Sequence, residues 1–102
     1  MFKPNRWVLL EHKGAPDDPN GIHFDLLLED VYGCRTWRLA EIPILDGPSQ
    51  KAIPLPIHRR EWLEKLEGVV SGGRGWVKKV WSGFFSGDLP INEKDPVQIR
   101  LN

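Results

Sequence analysis

Proline and glycine interrupt this chain too often for long helices: nine prolines and ten glycines are spread over 102 residues. Proline removes a backbone donor and glycine loosens a helix interior, so the punctuation predicts mostly short strands separated by turns. Five tryptophans and a hydrophobic fraction of 40% supply apolar area between the breaks. A chain of this length buries roughly two-thirds of the surface it exposes when unfolded, which is enough for one core and predicts a single domain over residues 1–102.

Residues 6–12, RWVLLEH, read as a first strand, and the KGAPDDPNGI stretch that follows is dense in turn formers, so the chain is expected to reverse there. Residues 22–29, IHFDLLLE, resume as a strand with Phe24, Leu26 and Leu28 on one face and His23, Asp25, Leu27 and Glu29 on the other. That alternation predicts a core face and a face that carries chemistry. A third strand is expected at 34–40, where Arg35, Trp37 and Leu39 alternate with Cys34, Thr36 and Arg38. The proline-spaced IPILDGPSQKAIPLPI reads as an irregular or edge segment that cannot donate a full ladder of hydrogen bonds. HRREWLEKLEG is the best helix candidate, with Trp62, Leu63 and Leu66 near helical spacing and Gly68 placed to stop it. SGGRG then reads as a tight hairpin connection, WVKKVWSGFF as a strand, and PVQIRLN closes the chain with Val97, Ile99 and Leu101 alternating against Gln98 and Arg100. The expected fold class is mainly β: a small antiparallel β-barrel with one short helix, its closure covering the sheet edges.

Fourteen basic residues balance fourteen acidic ones, so net charge points to neither a nucleic-acid nor a membrane partner. The lone Cys34 cannot form an internal disulfide, and a structural zinc cluster would need more cysteines; both fit a reducing cytoplasm. The opening MFKPNRWVLLEHKG has too short an apolar run for a signal peptide, and no stretch reaches membrane-spanning length. A cytoplasmic protein with no membrane association is expected.

His12, His23 and Asp25 are the residues that an ordinary core strand does not need. His23 and Asp25, two apart on a strand, point the same way at roughly 7 Å between Cα atoms. If the loop returns the chain antiparallel, His12 and His23 approach a common point. Two histidines and a carboxylate suit manganese, iron or zinc and leave positions open for water and substrate. A second reading stays open on spacing alone, with His23 hydrogen-bonded to Asp25 and His12 facing solvent at a strand end. His58 beside Arg59 and Arg60 suits phosphate contact or proton donation, or else a solvated element start. SGGRG lacks the lysine of a phosphate loop, which leaves Arg74 as a backbone-phosphate candidate. Trp7, Trp37 and Trp76 are expected in the core, while Trp62 or Trp81 could stack on bases if exposed.

In order along the chain, WVLLEH, HFDLLLE, CRTWRL, HRREWLEKLEG and GGRGWVKKVW resemble the 3'-phosphoesterase domain of bacterial DNA ligase D and its stand-alone relatives, over roughly residues 6–83. The resemblance implies that His12, His23 and Asp25 are manganese ligands, with zinc also compatible, and that His58 is the phosphate-side catalytic histidine; Glu29 is implied as a supporting residue. Leu27 stands where the family carries an arginine, Leu10 where it carries a glutamine and Trp62 where it carries a tyrosine. Arg59, Arg60 and Arg74 are therefore the expected phosphate-binding residues. The implied activity is divalent-metal-dependent hydrolysis at 3'-terminal phosphates or ribonucleotides of nucleic-acid ends in DNA repair. The alternative is a catalytically impaired metal-binding barrel that binds nucleic-acid ends or a repair-protein partner.

Overall fold

A computed structural model of the chain describes residues 5–70 and 72–102; the opening MFKP and Ser71 of the SGGRG turn lie outside them. The fold is mainly β and antiparallel, as the sequence predicts. Seven strands, β1 (Arg6–Ala15), β2 (Asp18–Asp30), β3 (Gly33–Leu39), β4 (Ala52–His58), β5 (Glu67–Val69), β6 (Trp76–Ser86) and β7 (Arg100–Leu101), form one sheet. Its order is β4-β3-β2-β1-β6-β5, with β7 added to β6.

Two expectations need correction. The sheet is not closed into a barrel, because no ladder among the described residues joins β4 to β5. Pro54 and Pro56 lie within β4 and lack the donors for a further partner, and β5 is only three residues long, so both elements are suited to edges. The expected helix reduces to a 3-10 turn over Arg60–Leu63. Only Trp62 and Leu63 of its apolar residues turn inward; Leu66 is 73% exposed. Glu67, Gly68 and Val69 instead pair with Lys78, Val77 and Trp76, so strand pairing takes the segment where a helix would have continued.

The two faces of the central strands are both buried, which the division into one core face and one chemical face did not anticipate. On the first face Trp7, Leu9, Leu26, Leu28, Trp37, Leu39 and Phe85 form a core, covered by Leu89, Val97, Ile99 and Leu101 from the C-terminal segment. On the second face Val8, Leu10, Leu27, Cys34, Leu63 and Val77 form another, flanked by Trp62 and Val70. Trp7 donates its indole N–H to the Phe84 carbonyl at 3.0 Å and meets Trp81 edge to face. Trp76 is only half-buried, and Lys65 lies over the Trp62 ring.

Cross-strand rows organise the second face. His12 faces His23; Leu10 faces Asp25, which faces Arg38; Val8 faces Leu27, which faces Thr36; and Glu29 faces Cys34, which faces His58. At the last of these rows the buried Glu29 carboxylate accepts from Arg6 Nη2 at 2.9 Å and from Arg6 Nε at 3.2 Å, with Arg60 Nε 3.5 Å away. The hydrogen bonds from Arg6 hold the Glu29 carboxyl below its ordinary value near 4.5. Burial pushes the neighbouring Cys34 thiol up to about 11, which keeps it an unreactive core group.

Because the folded-state pKa of Glu29 is depressed, its contribution to stability is complete above the unfolded value near 4.5 and is lost as pH falls through the folded value. Glu29→Gln is expected to cost about 1–3 kcal/mol at pH 7. Urea titrations should show the difference between the two proteins shrinking below pH 4.5; a pH-independent difference would assign the loss to packing.

Candidate metal centre

The centre sits toward the turn end of the β1–β2 hairpin, and an irregularity in that hairpin sets it. Ala15 pairs with Asp18 around the Pro16-Asp17 turn, whereas Lys13 pairs with Ile22, so Gly14 alone faces residues 19–21. Gly14 takes a φ of 72° to make the adjustment, a region costly for other residues. The two-residue slip preserves the inside-outside alternation but moves the partner of His12 from Gly21 to His23. On the other flank, β1–β6 pairing changes register between Leu9 and Leu10, which sets Val77 opposite His12.

The imidazoles of His12 and His23 and the carboxylate of Asp25 converge as the sequence predicts. His12 Nδ1 lies 3.2 Å from Asp25 Oδ2 and 3.1 Å from His23 Nε2, and His23 Nε2 is 3.4 Å from Asp25 Oδ1. All three residues are buried, and ligand atoms from them lie within 4.8 Å of one another. Ligands bound at about 2.0–2.1 Å and separated by about 90–110° around one ion stand about 2.8–3.4 Å apart. The measured separations fall in that interval, with the two Asp25 oxygens each facing one histidine.

Hydrogen bonding at the rim decides which ring nitrogen carries a proton. His12 Nε2 lies 2.7 Å from the Arg74 carbonyl oxygen, which only accepts, so Nε2 is the protonated nitrogen. In the neutral ring Nδ1 then presents a lone pair toward Asp25 and His23. A lone pair facing a carboxylate at 3.2 Å repels it unless a proton or a cation lies between, and one proton on Nδ1 cannot serve both neighbours. Asp25 Oδ1, fully buried, has no hydrogen-bond partner among the described residues. Burial holds His23 below its ordinary value near 6.5, with Arg38 and His12 acting in the same sense against the pull of Asp25; the neutral imidazole is the form that binds metal. An outward N–H on a backbone carbonyl, two inward ring nitrogens and an unpartnered carboxylate oxygen are what a divalent cation requires. The buried His12–His23–Asp25 cluster could therefore hold a metal ion.

The remaining predicted residues occupy other places. His58 is opposite Cys34, four residues along β3 from Arg38 and hence about 13 Å along the strand from the Asp25 row; its Nδ1 meets the Pro56 carbonyl at 2.9 Å. Arg59 pairs with Glu61 at 3.3 Å, and Arg60 binds the Asp30 carbonyl and approaches Glu29. These three belong to the Glu29 end of the face. Arg74 is at the His12–His23–Asp25 cluster, through its backbone carbonyl, with its side chain exposed.

Two residues of the neighbourhood are missing from the sequence-derived set. Arg38 stands directly opposite Asp25 and reaches Asp17 Oδ2, in the hairpin turn, at 2.5 Å. The signal for Arg38 was present: a two-residue turn at Val31-Tyr32 pairs Asp30 with Gly33, and counting back along both strands brings 25 against 38. Asp17 had no comparable signal. Grooves of about 650 and 820 Å3 lie away from the cluster, the larger between Leu26, Trp37 and Leu39 and the C-terminal segment. Compared with known proteins, the chain matches no family model, no curated protein and no solved structure.

Metal binding to the folded state alone stabilises it, by about 2.7 kcal/mol at a hundredfold excess over the dissociation constant. Manganese or zinc should raise the melting temperature of the native protein and leave that of Asp25→Asn and His23→Ala unchanged; equal shifts in all three would place the ion elsewhere. Gly75 is a second control point, since a Cβ there would lie 2.2 Å from the Lys13 carbonyl oxygen at a φ of 96°. Gly75→Ala is expected to cost more than about 1 kcal/mol and to weaken metal binding by shifting the adjoining Arg74 carbonyl, measured by urea unfolding and metal titration.

Proposed function

We propose that this protein is a divalent-metal-dependent phosphoesterase-like protein that acts on 3'-terminal phosphates or ribonucleotides of nucleic-acid ends. The observation that carries the reading is the convergence of His12, His23 and Asp25 on one point with a buried carboxylate oxygen unpartnered. The order of the five motifs that resemble the ligase D phosphoesterase domain supports the substrate class. Manganese is the expected ion and zinc the alternative, since both accept imidazole and carboxylate ligands.

A divalent ion held there would polarise a phosphoryl oxygen and make bound water more acidic. The Arg74 carbonyl orients the His12 ring, and the β1–β2 ladder keeps His23 and Asp25 at fixed separation from it. His58, Arg59 and Arg60 are separated from the cluster along the same face, where they would meet the nucleic acid beyond its end. A buried Cys34 with no second cysteine is consistent with a cytoplasmic setting, and no described helix is long and apolar enough to cross a membrane.

The position of His58, about four residues along the strand from the Asp25 row, together with Leu10 and Leu27 beside the ligands, favours a second reading: a metal-binding module that holds a nucleic-acid end or a repair-protein partner without turnover. A primer-template bearing a 3'-phosphate, incubated with manganese and the native protein, separates the two. Release of phosphate that disappears in His23→Ala is expected for the enzyme. Tight binding without release supports the module, and neither binding nor release would sink both.

A further inference from the structure

Arg38 is placed and bonded in a way that its one visible ion pair does not explain. Its partner Asp17 is largely exposed, at 63% of the side chain, and an ion pair with such a partner contributes about 0–1 kcal/mol. Against this, Arg38 Nε is buried with no hydrogen-bond partner among the described residues, and an unmet buried donor costs about 1–3 kcal/mol. The guanidinium also shares a sheet face with two buried imidazoles, being directly across the ladder from Asp25. Side chains directly opposed on neighbouring strands are about 5 Å apart at Cβ, so the Arg38 fork would be a neighbour of a cation held at the cluster.

That juxtaposition has a definite chemical preference. A cation on one side and a planar set of N–H donors on the other select an oxyanion with several acceptor oxygens, which a guanidinium can grip with two parallel bonds. Asp17 supplies a carboxylate to Arg38 Nη1 from the hairpin turn, and the Arg38 guanidinium holds the Asp17 carboxyl below its ordinary value. A phosphate entering beside the ion would compete with that carboxylate for the same fork.

We infer that Arg38 is the anion-binding and specificity residue of the centre, gripping a terminal phosphate beside the ion, and that Asp17 is a competing internal carboxylate which a phosphate must displace. The inference rests on the metal reading of His12, His23 and Asp25. It assigns the positive charge missing at Leu27 to a neighbouring strand instead of to Arg59, Arg60 or Arg74.

The test is calorimetric titration of inorganic phosphate into manganese-loaded protein, with manganese affinity and melting temperature measured on each variant. Arg38→Gln should bind manganese as the native protein does and lose phosphate affinity by about 10- to 100-fold, and Arg38→Lys should fall between them. Asp17→Asn should bind phosphate about three- to tenfold more tightly while melting no higher than the native protein; a purely structural ion pair would give no such gain. Unchanged phosphate affinity in Arg38→Gln with manganese still bound overturns the assignment of Arg38 alone. Weaker phosphate binding in Asp17→Asn overturns the competition. Failure of the native protein to bind manganese would remove the metal reading and this inference together.

Discussion

The pairing of β1 with β2 is the constraint on which the rest depends. β1 runs through the middle of the sheet with a partner on each side, and Trp7, Val8, Leu9 and Leu10 in succession are almost wholly buried. A strand buried on both faces cannot slip by one residue without sending each side chain to the opposite core. The same ladder that aligns Val8 with Leu27 also aligns Leu10 with Asp25 and His12 with His23. The polar cluster is therefore held in place by the apolar rows beside it, and its geometry inherits the rigidity of the core.

Placing three polar side chains in that interior is costly unless something satisfies them. At the Glu29 end of the face the chain solves this internally: a buried carboxylate is matched by Arg6 from β1 and approached by Arg60. At the other end it does not, because the ring nitrogens and carboxylate oxygens that face one another are mostly acceptors and Asp25 Oδ1 has no hydrogen-bond partner among the described residues. Two acidic residues on one strand, Asp25 and Glu29, thus have opposite environments four positions apart. One is closed by cations of the chain itself, and the other faces two imidazoles in a cluster that could hold a metal ion.

Hairpin geometry accounts for which residues meet. Around Val31-Tyr32 a short turn sets β2 against β3 directly, with the Val31 N–H donating to Asp30 Oδ1 at 2.8 Å, and Arg38 follows by counting. Around Pro16-Asp17 the slip at Gly14 is needed before His12 and His23 oppose each other. Gly75, pressed against the Lys13 carbonyl, joins the β5–β6 connection to this same irregularity and delivers the Arg74 carbonyl to His12. Turn and bulge positions, more than the strands, thus determine the site.

The bulky run over 6–12, the alternation over 22–29 and the turn formers between them already pointed to an antiparallel β protein and made His12, His23 and Asp25 candidates to meet, while the register that brings them together came from the slip at Gly14. Local patterns suffice for the strands and the turn because strand alternation and turn formation act over a few residues. The prolines likewise marked an irregular or edge segment, and residues 52–58 of it form an edge strand, since a missing donor is a property of the residue itself. Tertiary structure decided what depends on distant partners: that Glu67–Val69 extends along β6 instead of finishing a helix, that both faces of β2 are core, that the sheet stays open, and that His58 and Arg60 join Glu29 while Arg38 joins Asp25. Each of those outcomes is set by register between strands far apart in the chain, and register is fixed by the sum of bulges and packing across the whole sheet.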